Sequence, residues 1–202
     1  MRPLPPSYST PPPGRQKKLS QRKTKKAKKP RSQMRNLMEL VGIFLGAIAV
    51  AFVVQAFFLK PFQIPSESMV PTIDPGDRIL INRLVYRFGP VQRGDIIVFK
   101  APMNPDVDFV KRVIAIGGDT VEVKRGTVLV NGEPQVENYL NGVDVSNFPL
   151  TSIPEGNVFV MGDNRGDSGD ARFWNPHWLP EENILGKAFM TYWPPGRIGT
   201  FH

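Results

Sequence analysis

An uninterrupted apolar span near the N-terminus sets the strongest limit on how this chain can fold. From Leu40 to Leu59 there are 20 consecutive residues without a charge, bounded by Glu39 and Lys60. As a helix rising 1.5 Å per residue, such a span covers about 30 Å, the thickness of the hydrocarbon core of a bilayer. A secretory signal peptide would instead have an apolar core of about 7–15 residues and a small-residue cleavage site. We therefore predict an uncleaved transmembrane anchor over residues 36–59.

The residues before this span predict a disordered tail and the orientation of the anchor. Residues 1–35 contain seven prolines, 12 lysines and arginines, no acidic residue and one aromatic residue, Tyr8. Such a segment cannot bury enough apolar surface to offset the entropy of ordering its backbone. Its basic residues place the N-terminus in the cytoplasm and everything after Lys60 on the outer or luminal side of a cell membrane or thylakoid membrane.

The charge of the rest of the chain argues against a nucleic-acid partner. The net charge is +8, but residues 36–202 hold 14 basic and 18 acidic residues, so the basic character belongs to the tail. There is no cysteine, which excludes a disulfide framework, a Cys-ligated metal site and a thiol nucleophile. We expect the lipid bilayer as a partner of the anchor and no nucleic acid.

Beyond Lys60, short β-branched segments separated by Gly and Pro predict a β-rich domain over residues 60–202. Arg125-Gly126 and Asn131-Gly132 are typical of tight hairpin turns. Residues 135–156 have a loop-like composition. The predicted strands are Asp77–Tyr86, Asp95–Lys100, Asp108–Ile116, Thr120–Lys124, Thr127–Val130, Asn157–Met161 and Ile184–Thr191.

Ser68 and Lys111 are the candidate reactive pair. Ser68 lies between Pro65 and Pro71, which stiffen a non-helical loop, and Lys111 follows 43 residues later within a predicted strand. A serine hydroxyl is a poor nucleophile until a base removes its proton. Lysine can be that base only when neutral, which requires its pKa to fall by roughly 3 units from about 10.4. Burial among apolar side chains can lower the pKa that far, and on a strand Lys111 shares a face with Phe109.

Two nearby features bear on this chemistry. Ser66 is two residues before Ser68, so one hydroxyl could attack while the other holds the developing oxyanion. A Ser-His-Asp triad would have to use His177, because the other histidine is the C-terminal residue. No signature surrounds His177, and we interpret it as a surface or structural residue.

A third block, Met161–Arg172, packs acids, arginines, glycines and one serine into twelve positions after an apolar strand. Acidic loops of this kind can resemble calcium sites, but the spacing does not fit an EF-hand, and Arg165 and Arg172 would oppose a cation. We predict a hydrogen-bonded scaffold with internal Asp-Arg pairs, no metal site and no cofactor.

Together these blocks resemble the bacterial type I signal peptidases, the membrane-bound Ser-Lys leader peptidases, over residues 37–200. The family's motifs match, in order, the anchor span, Pro65–Thr72, Gly76–Asn82, Phe109–Ala115 and Gly162–Arg172. The sequence departs from the family pattern at Gly166-Asp167, at Ala171 and in the segment Asn175–Trp178.

The resemblance implies a role for each matching residue. Ser68 would be the nucleophile and Lys111 the general base. Ser66 would donate to the oxyanion beside the backbone N–H of Ser68, and Ser168 would hydrogen-bond Lys111 and orient it. Asp163, Arg165, Asp170 and Arg172 would form the scaffold of the site. The residues matching the substrate pockets are Ile64, Met69, Ile73, Ile79, Phe109 and Val110.

The resemblance also implies a fold and an activity. The fold would be mainly β, with a single N-terminal transmembrane helix followed by an antiparallel β-rich catalytic domain. The activity would be a serine endopeptidase that cleaves signal peptides from exported preproteins with small residues at −1 and −3 of the cleavage site. We expect a monomer.

Two other classes of protein stay open at this point. A self-cleaving Ser-Lys protein of the repressor type shares the chemistry, but such proteins are soluble and carry a DNA-binding module. The other is a non-enzymatic β-rich receptor on a membrane stalk. Such a protein has no enzymatic activity, so altering Ser68 would cause no loss of activity.

Overall fold

The computed structural model describes residues 33–57, 59–140 and 142–201, with the backbone alone for Gln33, Met34 and residues 55–57. The predicted tail, residues 1–35, therefore lies outside the described residues except for its last three, which are helical. By its internal contacts the chain divides into two units, up to Ile43 and from Phe44 onward. This division falls inside a helix, and the predicted boundaries at residues 35 and 59 stay predictions.

The first element is a 25-residue helix, α1, at Gln33–Phe57. Its residues Arg35–Val54 form a segment long and apolar enough to cross a membrane, and none of that segment is buried against the rest of the protein. Large apolar side chains such as Ile43 and Phe52 are each about 70% exposed. The helix is thus apolar on all sides, as expected for a helix whose surroundings are not water.

The remaining elements of the described residues are twelve strands, one short α-helix, α2, and four single-turn 3-10 helices. The strands are β1 Leu59–Gln63, β2 Arg78–Asn82, β3 Ile96–Ala101, β4 Asn104–Ile116, β5 Thr120–Lys124, β6 Thr127–Val130, β7 Glu133–Pro134, β8 Phe148–Ser152, β9 Asn157–Met161, β10 Leu179–Pro180, β11 Ile184–Trp193 and β12 Gly199–Thr200, and α2 is Val85–Phe88.

These strands form two sheets in which every described pairing is antiparallel. The larger sheet has the order β1-β2-β11-β3-β4-β9-β10, with β12 added to β11, and the smaller has the order β7-β6-β5-β8. The β5–β6 hairpin turns at Arg125-Gly126, both with positive φ, as the sequence predicts. The structure is therefore mainly antiparallel β with one N-terminal apolar helix.

Two apolar clusters hold the sheets in place. One cluster joins the larger sheet to the smaller, through residues such as Phe99 and Phe159 on one side and Val121 on the other. The second lies against the loop between β1 and β2 and includes Met69 and Ile73. Burying an apolar side chain of this size contributes about 1.5–3 kcal/mol, so the second cluster fixes that loop on the sheet.

The structure corrects the predicted strands in two places. The strand predicted to reach Tyr86 ends at Asn82, whose side chain accepts a hydrogen bond from the backbone N–H of Leu84 and turns the chain into α2. The loop-like segment 135–156 contains β8, which pairs with β5. Of the residues of β8 only Phe148 is fully buried, so β8 has little apolar pattern for a sequence reading to detect.

Candidate active site

Ser68 lies on the loop between β1 and β2, residues 64–77, which we call the serine loop. Backbone hydrogen bonds close its ends, from Ile64 N to Asp77 O at 2.9 Å and from Gly76 N to Ile64 O at 2.8 Å. In its middle Met69 is almost fully buried in the second apolar cluster. The loop is therefore rigid, and Ser68 itself is only 8% exposed.

Lys111 lies on β4, beside the serine loop. Its Nζ is 2.6 Å from Ser68 Oγ and 5.4 Å from the centre of the Phe109 ring, and the residue is only 4% exposed. Burial lowers the pKa of Lys111 to about 8, against the opposing attraction of Asp170, Asp163 and Asp167. Near pH 7 the ammonium form of Lys111 therefore still predominates, and the neutral fraction grows as the pH approaches about 8. The amine nitrogen is within hydrogen-bond distance of Ser68 Oγ.

Ser66 also lies close to the reactive pair. Its Oγ is 3.3 Å from Ser68 Oγ, and its side chain is exposed at the rim of the loop. The structure thus brings Ser66, Ser68 and Lys111 together, as the sequence predicts. A donor at this distance from the attacking oxygen is close to where an oxyanion would form.

A buried ion pair joins β4 to the segment Gly162–Arg172, which we call the motif loop. Arg112 donates to both carboxylate oxygens of Asp163, at 2.9 and 2.7 Å, and Thr72 Oγ1 donates to the same carboxylate at 2.5 Å. Asn164 N donates to Ser68 O at 3.1 Å. One carboxylate therefore ties the strand of Lys111, the serine loop and the motif loop together.

The motif loop has a second carboxylate at its centre. Asp170 is fully buried, accepts from the backbone N–H of Gly162 at 3.0 Å and pairs with Arg172 at 2.8 and 3.0 Å. A Cβ on Gly162 would overlap Ser168 Oγ and Ser68 O, so only glycine allows the two loops to approach this closely. Of the predicted internal Asp-Arg pairs the motif loop contains Asp170–Arg172. Asp163 instead pairs with Arg112 of β4, and Arg165 pairs with acids outside the loop.

The position of Ser168 differs from the role predicted for it. Its side-chain oxygen is buried and has no hydrogen-bond partner, so the hydrogen bond to Lys111 implied by the family resemblance is not formed. The described hydrogen bond of Lys111 Nζ goes to Ser68 Oγ. Ser168 Oγ instead packs into the space that the missing side chain of Gly162 leaves open.

Three residues of the segment between β7 and β8 complete the ionic frame, and sequence reasoning missed them. Glu137 forms a bidentate ion pair with Arg165 and accepts from Tyr139 Oη at 2.6 Å. The Tyr139 ring lies 3.9 Å from the guanidinium carbon of Arg112. Asp144 Oδ2 lies 3.4 Å from Arg172 Nη1 and 3.8 Å from Arg165 Nη1. Nothing in the local sequence marks these residues, because their arginine partners are at least 21 residues away.

A cavity of about 270 Å³ opens beside Ser68 and Lys111. Four of the six predicted pocket residues line it: Ile64, Met69, Phe109 and Val110. The other two, Ile73 and Ile79, do not. Both are fully buried in the second apolar cluster.

His177 takes no part in this arrangement. Its Nδ1 lies 3.0 Å from Ala171 O, and its ring meets that of Phe148 edge to face. His177 is therefore a structural residue, as interpreted from the sequence. Within the described parts of the chain, no three His, Cys, Asp or Glu side chains are grouped so that they could hold a metal ion.

The chain is similar over most of its length to proteins of one known family. It matches the family model described as signal peptidase, peptidase S26, over residues 37–193. A Synechocystis protein named probable signal peptidase I-1 is 40% identical over 170 residues, which cover 81% of this chain and 86% of the relative. The probable thylakoidal processing peptidase 2 of Arabidopsis thaliana is 40% identical over 161 residues, covering 75% of this chain and 43% of the relative.

A solved structure adds a further similarity. The signal peptidase I of Enterococcus faecalis V583 is 31% identical and covers 49% of this chain and 97% of its own, with a TM-score of 0.43. The family match extends over most of the present chain and includes Ser68, Lys111 and the motif loop. The chain is therefore a peptidase, and it belongs to the signal peptidase family, peptidase S26.

Proposed function

We propose that this protein is a membrane-anchored serine endopeptidase that removes N-terminal signal peptides from exported preproteins with a Ser68–Lys111 dyad. The observation that carries the dyad is the 2.6 Å distance between Lys111 Nζ and Ser68 Oγ at a buried position. The ammonium form of Lys111 is disfavoured by burial, so the neutral amine can accept the hydroxyl proton. Family membership supports the cleavage of signal peptides, and the dyad supplies a mechanism for it.

The first half of the reaction would form an acyl-enzyme. Ser68 Oγ attacks the scissile carbonyl carbon while Lys111 Nζ takes the hydroxyl proton. The resulting oxyanion accepts hydrogen bonds from the Ser68 backbone N–H and from Ser66 Oγ, which lies 3.3 Å from the attacking oxygen. The C–N bond then breaks, and the Lys111 ammonium returns its proton to the leaving amine, the new N-terminus of the mature protein.

The second half would release the signal peptide. Lys111 Nζ accepts a proton from a water molecule as the water oxygen attacks the acyl carbon of the ester. The ester bond breaks, and the proton passes from Lys111 to Ser68 Oγ. The signal peptide leaves with a new C-terminal carboxylate, and the dyad returns to its starting state.

The cavity suits a substrate with small side chains beside the scissile bond. Its apolar walls come from Ile64 and Met69 of the serine loop and from Phe109 and Val110 of β4. Substrate lying extended between these two elements would place alternate side chains into the cavity. A volume of about 270 Å³ accepts alanine-sized groups at both positions.

The anchoring role would belong to α1. A helix of 25 residues is about 37 Å long, and its exposed apolar side chains would be costly in water. We propose the arrangement predicted from the sequence, with a basic cytoplasmic tail at 1–35, an anchor at 36–59 and a catalytic domain at 60–202 on the outer or luminal side. Membrane fractionation with alkaline extraction tests the anchor, and protease protection of sealed vesicles tests its orientation.

Cleavage of a model preprotein by the full chain in detergent tests the dyad. Ser68→Ala and Lys111→Ala should each abolish processing, because one removes the nucleophile and the other its base. Ser152→Ala and Lys124→Ala, at exposed positions of the smaller sheet, are the matched controls and should cleave normally. Processing retained by purified Lys111→Ala would exclude lysine from the mechanism, and the absence of any wild-type cleavage would contradict the proposed activity.

The pH dependence of cleavage is a second test of the dyad. Below its pKa of about 8 Lys111 is increasingly protonated, so kcat/KM should fall about tenfold for each pH unit. Above that pH the rate should level off. A flat profile between pH 5 and pH 8 would contradict a lysine base.

A further inference from the structure

The cavity beside Ser68 has acidic side chains at its rim. Three carboxylates line it, those of Glu67, Asp108 and Asp167, and Lys111 is the one cationic side chain among the described residues that line it. In the proposed reaction Lys111 is neutral when it accepts the serine proton, so it does not offset these negative charges. A substrate would therefore meet an excess of negative charge in this cavity.

Two of the three carboxylates lack an ion-pair partner among the described residues. Asp108 lies 3.0 Å from Lys100 Nζ, which neutralises it. Glu67 and Asp167 are exposed, and across the described part of the chain neither forms an ion pair within 4 Å. Their charges are thus available to a substrate.

The backbones of Glu67 and Asp167 are held at a fixed place relative to the reacting serine. The backbone N–H of Asp167 donates to Asn164 O at 3.1 Å, and Asn164 N donates to Ser68 O at 3.1 Å. Glu67 precedes Ser68 directly, and its carbonyl accepts from Asn164 Nδ2 at 3.2 Å. Asn164 thus connects the backbones of Asp167 and Glu67 to the same part of the serine loop, next to Ser68.

We propose that Glu67 and Asp167 are specificity-determining residues that make the cleft select by charge. Substrates with lysine or arginine close to the scissile bond are cleaved faster than those with a neutral residue there, and substrates with glutamate or aspartate are cleaved more slowly. This inference rests on the proposed function, since it concerns the substrate of that same site. Unit charges separated by about 10 Å near a protein surface interact strongly enough to change kcat/KM several-fold.

The test uses quenched fluorescent peptides cleaved by the full chain in detergent. The peptides share an apolar segment and alanine at −1 and −3, and they carry lysine, glutamine or glutamate at one position at a time from −4 to +4. At one or more positions next to the scissile bond, kcat/KM for the lysine peptide should exceed that for the glutamate peptide about tenfold. The ratio should shrink in 1 M salt, because screening then acts over about 3 Å.

Variants identify the residues responsible. Asp167→Asn and Glu67→Gln should each reduce the lysine-to-glutamate ratio to about threefold, and the double variant should bring it close to one. Rates are compared as ratios within each variant, so a general loss of activity does not affect the result. Glu133→Gln, an exposed carboxylate of the smaller sheet, is the matched control and should leave the ratio unchanged.

Three results would overturn the inference. They are equal kcat/KM for the lysine and glutamate peptides at every position, a ratio unaffected by the double variant, and a ratio reduced equally by Glu133→Gln. If a variant is inactive, binding of the uncleaved peptides to its Ser68→Ala form, measured by fluorescence anisotropy, gives the same ratio. Failure of the wild type to cleave any peptide would contradict the proposed function itself, whereas cleavage without a charge preference would contradict only this inference.

Discussion

Two buried cations lie next to each other on β4, and their surroundings are opposite. Lys111 faces the serine loop, with a hydroxyl at 2.6 Å and the Phe109 ring at 5.4 Å. Arg112 faces the motif loop and forms a bidentate pair with Asp163. A cation buried beside a hydroxyl and an aromatic ring is poised to lose its proton, whereas one buried against a carboxylate keeps its charge and fixes the geometry.

The largest effect is expected from Lys111→Arg. This variant places a permanently charged guanidinium, like that of Arg112, at the position of the proposed base. A guanidinium has a pKa above 12 and cannot accept the serine proton. We expect kcat/KM for a model preprotein to fall about a thousand-fold or more at every pH from 6 to 10. Lys124→Arg, at an exposed position, should have no effect. Activity that returns at high pH would show that position 111 does not supply the base.

The second test removes the carboxylate from the paired cation. Asp163→Asn leaves Arg112 buried without its partner and should lower the free energy of unfolding by about 3–5 kcal/mol. Urea unfolding of the full chain in detergent measures the change. Glu122→Gln, which breaks an exposed pair with Lys124, should change it by less than about 1 kcal/mol. If the two variants lowered the free energy of unfolding equally, burial would not distinguish the Arg112–Asp163 pair from the Glu122–Lys124 pair.

The third test measures how much the buried charge of Lys111 lowers the free energy of unfolding. The folded-state pKa of Lys111, about 8, lies below the ordinary value of 10.5, so between these pH values the unfolded chain binds more protons and stability rises with pH. Below about pH 8 Lys111 is charged in both the folded and the unfolded chain, so the full cost of burying its charge is present. Lys111→Met should therefore raise the free energy of unfolding at pH 7 by about 3 kcal/mol. The gain should shrink to nothing as the pH rises from about 8 to 10.5.

Lys124→Met is the control for this third test, since Lys124 is exposed in the smaller sheet. Urea unfolding at pH 7 and at pH 10 gives the comparison. A Lys111→Met variant less stable than the wild type at pH 7 would contradict the view that burial opposes the charged amine at this position.

The smallest effect is expected at Ser168, which is buried like the two cations but has no partner at all. Removing a buried hydroxyl that makes no hydrogen bond should raise the free energy of unfolding by about 1 kcal/mol. Ser168→Ala tests this by urea unfolding, with the exposed Ser152→Ala as the control. A clear loss of stability in Ser168→Ala would indicate a hydrogen bond that this structure does not show.

Much of the frame of the protein could be predicted because its signals are local. The Arg125-Gly126 turn is set by the conformational freedom of its own residues. Strands β3 and β9 carry a continuous apolar pattern, and β5 and β6 carry an alternating one. The predicted meeting of Ser68 and Lys111 depended instead on chemistry, since a serine needs a base and no histidine was suitably placed. The structure brings the two side chains within hydrogen-bond distance.

Other features could not be predicted, because each depends on a distant partner. From the sequence, Ile73 and Ile79 could equally line a pocket or belong to the core. Only the packing of the folded chain shows that they lie in the second apolar cluster. Glu137 and Asp144 look like ordinary loop acids until the motif loop brings two arginines to them.

The sequence by itself determined the apolar helix, the β-rich domain after it and the pair of residues able to perform the chemistry. These follow from hydrophobic pattern, turn residues and the reactivity of side-chain groups, all of which belong to the chain before it folds. The tertiary structure alone decided which of the two cations on β4 has a carboxylate partner and which has a lowered pKa, because the pKa and the ion pairs of a buried group depend on neighbours that folding brings from elsewhere in the chain.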